Sequence, residues 1–286
     1  MKRLLFLLVA VSFTILMKDN LIAYANEDGK EESIVMLEKD LVTGEETTEK
    51  IITSDDVDVL NANAYQPEGA SPNIIIGDDE RAPVPDMLLS LMPYSAIGRV
   101  RTTFPDGSGK LGTGFLFGPN DVATSGHVLL SNKGELPSNI TFWFQNAGPI
   151  ADLRGTQVFI PEEYRNKQSQ DYDWGVFHVN TNIGNNRGYI GWTSDVSVNT
   201  VVQVIGYDST QNRMLLAGGQ VKEIKNSTIR YNIDSDDGQS GAPVVNRVLD
   251  NRMVAIHSRG LPAYLLNQGN KVTPSMASVL NRYRNE

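Results

Sequence analysis

The sequence predicts an all-β fold, a sandwich or a pair of barrels, with one C-terminal α-helix. Three observations carry that expectation. Short β-branched and aromatic runs recur between Gly, Asn and Asp turns from about residue 74 onward. One helical periodicity stands by itself at the C-terminus. Apolar residues make up 40% and charged residues 21% of 286 positions, enough for a packed core and too apolar for wholesale disorder.

In chain order, Met1-Lys2-Arg3 precedes an apolar run from Leu4 to Met17, and Ala23-Tyr24-Ala25 supplies small residues for a cut before Asn26. A basic start, an apolar middle and such a site describe a secretory signal peptide over residues 1–25. The run is too short for the roughly 20 residues of a membrane span, so the chain is expected to be secreted, with no membrane partner. Residues 26–73 hold 13 acidic residues against Lys30, Lys39 and Lys50, with no Phe or Trp. Such a composition is expected to stay solvated, because it offers too little apolar surface to offset ordering entropy. It reads as a linker or as a pro-segment. Its net −10 exceeds the −9 of the whole chain, leaving residues 74–286 close to neutral. An acidic chain of this kind is no nucleic-acid binder.

The globular part begins near Ile74. Strand runs are expected at Arg99–Phe104, Thr113–Phe117, Ile140–Phe144, Thr156–Ile160, Trp174–Val179, Thr200–Tyr207, Met214–Ile224, Thr228–Ile233, Pro243–Asn246 and Met253–His257. Thr273-Pro274 then supplies an N-cap and a first-turn proline. Met276, Val279, Leu280 and Tyr283 follow on a single apolar face.

The absence of cysteine excludes disulfide scaffolds, thiolate metal sites and a thiol nucleophile. Imidazole chemistry is confined to His127, His178 and His257. With no His pair at ligand spacing, no transition-metal cofactor is expected, and no other cofactor is implied. Three patterns stand in the order His, Asp, Ser: Thr124-Ser125-Gly126-His127, Tyr172-Asp173-Trp174-Gly175 and Gly238-Gln239-Ser240-Gly241-Ala242-Pro243. A serine hydroxyl attacks a carbonyl only when an imidazole takes its proton. A carboxylate must hold that imidazole and stabilise the imidazolium. Small residues around Ser240 allow the backbone N–H groups of Gly238 and Ser240 to converge on an oxyanion. Asp171 is a rival to Asp173, which is favoured because the buried-type strand begins directly after it. His178, within such a strand, reads as a satisfied core residue.

Together these patterns resemble the chymotrypsin-like serine proteases, in particular the bacterial glutamyl endopeptidases of the staphylococcal V8 protease type. Ile75-Ile76-Gly77-Asp78-Asp79-Glu80-Arg81 resembles their mature N-terminal stretch, and Val254-Ala255-Ile256-His257-Ser258 the strand with their specificity histidine. The resemblance implies two β-barrels over residues 74–286, meeting near 185–198, and residues 26–73 as an acidic pro-segment of a zymogen. It implies His127 as general base, Asp173 as its orienting partner and Ser240 as nucleophile. It further implies that His257, Ser235 and the α-amino group of a processed Ile74 bind the substrate carboxylate. The partners would then be proteins or peptides with acidic residues and an activating protease, acting on a monomer.

Asp236 and Asp237 depart from the small neutral residues usual there, and face either the carboxylate site or solvent. Arg259 offers partial compensation, or is a solvated charge. Asp78, Asp79 and Glu80 could supply oxygen ligands to calcium, although a solvated turn is the simpler reading. Two alternatives stay open: the same triad with a narrower, toxin-like specificity, and a catalytically silent binding protein on the same fold.

Overall fold

The computed structural model describes residues 32–53, 81–145, 153–209, 213–261 and 264–284. The signal-peptide stretch, the Asn73-Ile74 junction and Asp78 to Glu80 lie outside the described residues.

The first elements correct the expectation of a solvated acidic segment. Strands β1 (Ser33–Asp40) and β2 (Glu46–Ile52) form an antiparallel hairpin. Ile34, Met36, Leu37 and Ile51 are buried in it. Four apolar side chains suffice because they enter a core made by other strands, so the hairpin's own composition does not limit its burial. The reversal is encoded locally. Asp40 Oδ1 accepts from the N–H groups of Val42 and Thr43 at 2.8 and 2.7 Å, and Gly44 takes φ +79°. Those two N–H groups hold the Asp40 carboxyl below its ordinary range. A two-residue strand, β3 (Ala82–Pro83), follows and lies along the second barrel.

The first barrel comprises β4 (Ile97–Thr103), β5 (Gly109–Leu116), β6 (Asp121–Thr124), β7 (Asn139–Trp143), β8 (Leu153–Pro161) and β9 (Gly175–Val179). Their antiparallel order is β8-β7-β4-β5-β6-β9, closed by pairing of β8 with β9. The second comprises β10 (Val201–Tyr207), β11 (Met214–Ile224), β12 (Thr228–Tyr231), β13 (Pro243–Asn246), β14 (Arg252–Leu261) and β15 (Leu266–Lys271). It runs β10-β13-β14-β15-β12-β11 and closes through β10 and β11. Closure leaves each barrel without a free edge along most of its length, which is how short strands tolerate water on their outer face.

Single helical turns connect strands: α1 (Gly126–Leu129), α2 (Glu162–Lys167) and α3 (Gly184–Arg187). The longer α4 (Pro274–Arg284) sits where the sequence places it, and its Met276, Val279, Leu280 and Tyr283 are all buried. Thr273 caps it, accepting from the Met276 N–H at 3.2 Å. Tyr283 stacks on Phe159 with ring centroids 4.2 Å apart. His178 is buried beside them, Nδ1 2.7 Å from Asp121, as a core histidine. Among the described residues no helix is long and apolar enough to cross a membrane.

Candidate active site

His127 occupies α1, the turn into which β6 runs at the end of the first barrel. Asp173 lies where a 3-10 turn at Gln170–Tyr172 enters β9. Because β6 and β9 are paired neighbours, with Thr124 opposite Gly175, the two residues meet at one barrel end. Asp173 Oδ1 accepts from the His127 backbone N–H at 2.7 Å, and His127 Nδ1 lies 3.1 and 2.9 Å from the two carboxylate oxygens. An acceptor at Nδ1 fixes the proton there and leaves Nε2 as the basic nitrogen.

Asp173 is completely buried. Its Oδ2 also accepts from the Ser258 hydroxyl at 2.5 Å and from Arg259 Nη2 at 3.0 Å. Burial pushes the carboxyl up, but the hydrogen bond and charge of His127, with those of Ser258 and Arg259, outweigh it and hold it well below its ordinary range. Neighbouring residues of a regular strand point to opposite faces. Ser258 and Arg259 both reach Asp173 because β14 bulges between His257 and Arg259. Arg259 is therefore the ion-pair partner of Asp173, and is neither a free surface charge nor a partner of Asp236.

Ser240 sits in the tight turn before β13. Gly238 and Gly241 there adopt φ +95° and +87°, and a Cβ on Gly241 would collide with the Thr124 hydroxyl and the Thr113 carbonyl. The turn is clasped by the first barrel. Thr113 N–H donates to Ser240 O and Thr113 Oγ1 to Gly238 O, both at 2.8 Å. Among the described residues the N–H groups of Gly238 and Ser240 have no hydrogen-bond partner, while the Ser240 hydroxyl makes a long 3.4 Å contact to Ser258 O.

His127, Ser240, Ser235, His257, Asp236 and Arg259 line one cleft of about 530 Å³. The residues predicted from sequence, Ile74 excepted, therefore converge: four line the cleft, Asp173 is bonded to His127, and Gly238 stands in the turn that carries Ser240. His257 is buried, and its Nδ1 is 2.6 Å from the Tyr231 hydroxyl. Burial, then the nearby His127, push its pKa down to about 3 against the opposing pull of Asp173. It is thus neutral at physiological pH. In the tautomer where the Tyr231 hydroxyl donates to Nδ1, Nε2 carries the hydrogen. The Ser235 hydroxyl donates to Asn267 Oδ1 at 2.7 Å, and Asn267 Nδ2 in turn donates to Ile233 O.

Asp236 turns to Arg81, 3.3 Å away, and its other oxygen accepts from the Asp237 N–H at 2.8 Å. Thr113, Tyr231 and Arg81 carry no local sequence signal for these contacts. Arg259 carries a weak one, its offset of two from His257.

A profile of the trypsin-like peptidase domain matches residues 112–256. A glutamyl endopeptidase of Bacillus licheniformis is 28% identical over 228 residues, 74% of this chain and 69% of that one. An "extracellular metalloprotease" of Bacillus subtilis is 28% identical over 226 residues, 75% of this chain and 71% of its own. The metal that its name implies finds no fitting group here: among the described residues no three His, Asp or Glu side chains converge as a metal site. A solved Glu endopeptidase, in complex with MPD, superposes with TM-score 0.63 at 24% identity, covering 74% of this chain and all of that one.

Proposed function

Because the chain belongs to the trypsin-like peptidase family and is a serine endopeptidase, we propose that it cleaves after glutamate, and less well after aspartate, with Ser240, His127 and Asp173 as its catalytic triad. The observation that carries this reading is the single cleft in which His127, already bonded to Asp173, stands with Ser240, Ser235 and His257.

In the proposed cycle the Ser240 hydroxyl leaves Ser258 O and hands its proton to His127 Nε2 as Oγ attacks the scissile carbonyl. Asp173 stabilises the imidazolium that forms. The unpartnered N–H groups of Gly238 and Ser240 suit the developing oxyanion, where one such donor contributes about 3 kcal/mol. His127 then protonates the leaving amine. Water, activated by the same imidazole, hydrolyses the acyl-enzyme.

The pocket suits a carboxylate by hydrogen bonds rather than by a fixed cation. Neutral His257 offers Nε2–H, and the Ser235 hydroxyl, held by Asn267, has to turn to donate. Arg81 offsets the charge of Asp236, while Asp237, which also lines the cleft, is the acid that a bound carboxylate has to tolerate. A remaining positive charge is assigned to the α-amino group of Ile74 once the exported precursor is cut after Asn73. Uncut, that nitrogen is an uncharged amide, so latency follows from weak substrate binding.

Two measurements test the reading. A fluorophosphonate should label the processed protein and fail to label Ser240→Ala; a processed wild-type protein that never labels would favour a silent binding module. Turnover on a Glu peptide should be high only for the form that begins at Ile74. Equal turnover by the intact chain, or by a form beginning at Asn73, would refute the role of the amine.

A further inference from the structure

We infer that residues 32–53 stay bound to the protease domain after the precursor is cut, so that the active enzyme is a two-chain assembly whose second chain is its own acidic hairpin. This rests on the reading that the chain is processed between Thr53 and Ile74. It departs from the usual expectation that a pro-segment leaves.

The hairpin fills a gap in the barrel wall. β7 pairs with β8 only through Thr141 with Arg154 and Phe142 with Leu153. Beyond that point, β8 residues Gln157 to Phe159 bond β9 on one side and have no barrel strand on the other. β1 takes that side, from Met36 opposite Pro161 to Asp40 opposite Gln157. Its ladder continues with the Leu41 N–H donating to Thr156 O at 2.8 Å. An unpaired strand edge of this length is a template for strand addition, with main-chain bonds supplying affinity and alternate side chains supplying specificity.

Burial and charge point to the same occupant. Ile34, Met36, Leu37 and Ile51 join the core that contains Ile140 and Ile160 of the barrel. The acids meet complementary groups on three separate elements. Gln157 Nε2 of β8 donates to Glu38 at 2.9 Å, Arg165 of α2 reaches Glu46 at 3.2 Å, and Arg282 of α4 reaches Glu49 at 3.1 Å. The acidic composition that reads as solvated is, at these positions, complementarity to the domain.

Retention is compatible with catalysis, since no residue of 32–53 lines the cleft. It also supports the site from behind. Arg165 adjoins Tyr164, whose buried ring packs on Gly126 beside His127. Asp173 lies close enough to that ring that its charge, after burial, pushes the Tyr164 phenol up.

The test places a recognition sequence for a site-specific protease directly before Ile74 in the full chain, so that the cut is made after folding and frees the Ile74 amine. The cut protein is diluted about 100-fold and passed over a sizing column under native conditions, then resolved on a denaturing gel. Co-elution of both fragments at the size of the uncut chain is expected. Charge reversal of Glu46 and Glu49 to Lys should release the hairpin at least tenfold more readily. A hairpin fragment that elutes by itself from the unsubstituted cut protein overturns the proposal, whatever the activity. Co-elution without any gain of activity would instead count against the role of the Ile74 amine and leave the assembly standing.

Discussion

Asp173 holds more partners than His127 alone, and they come from several elements. Around the buried carboxylate stand His127 from α1, Ser258 and Arg259 from β14, Tyr164 from α2, Lys110 from β5 and His257 from β14. A guanidinium 3.0 Å from Oδ2 shares the negative charge that would otherwise stabilise the imidazolium alone. Replacing Arg259 by Gln removes one of the groups that hold the Asp173 carboxyl below its ordinary range, so kcat/KM should fall by roughly threefold to tenfold, a modest loss because the guanidinium is partly solvated. Arg259→Lys should fall between wild type and Gln. An unchanged kcat/KM would reduce Arg259 to packing. Ser240→Ala should lower kcat by at least about 10⁴-fold with the fold unchanged, as loss of an activated nucleophile does; circular dichroism with turnover measurement checks both halves. His127, Asp173 and Ser240, the proposed triad, could be singled out in the sequence because each sits in a short pattern with a chemical reason. The contacts that Arg259, Thr113 and Arg81 make could not be, because their partners lie 86, 125 and 155 positions away and only the fold brings them together.

Among elements, the strands rich in β-branched and aromatic residues fall where the sequence predicts them, and α4 does so down to its cap. What escaped was polar. β15 reads Leu-Asn-Gln-Gly-Asn-Lys, a strand by virtue of β12 and β14 on its two sides. The β1–β2 hairpin escaped because acidity over the whole segment masks a local signal: Ile34 and Met36 alternate, and Asp40 stands four residues before Gly44. Its contribution is open to measurement. Met36 is fully buried, so Met36→Ala should destabilise the intact chain by about 2–5 kcal/mol. Gly44 has open space around it but φ +79°, so Gly44→Ala should cost about 1 kcal/mol through backbone strain alone. Denaturant unfolding of the two variants distinguishes the effects. A neutral Met36→Ala would mean that the hairpin adds nothing to the stability of the barrel.

At the scale of the whole molecule, two barrels bring loops from separate strands to one cleft, and that architecture has an acid limit. Folded His257 stays neutral down to about pH 3, whereas in the unfolded chain it protonates near 6.5. Above pH 6.5 both states are neutral and this group adds no pH dependence. Between 6.5 and 3 the unfolded chain takes up a proton that the folded chain refuses, so stability falls on acidification by up to about 1.4 kcal/mol per pH unit. Asp173, depressed on folding, contributes stability above its unfolded value near 3.8 that is lost as pH falls further. Urea unfolding of His257→Gln at pH 7, 5.5 and 4 should show a slope shallower than wild type by up to one proton; identical slopes would place a charged imidazole in the folded pocket.

In the proposed reaction this cleft holds the carboxylate of the residue before the scissile bond and presents that residue's carbonyl to Ser240. The most direct measurement is cleavage by the Ile74-start protein of a peptide library varied through all residues at the position before the scissile bond. Strong enrichment of Glu, then Asp, abolished by Ser240→Ala, is the predicted result. Enrichment of Leu or Lys over Glu would contradict it.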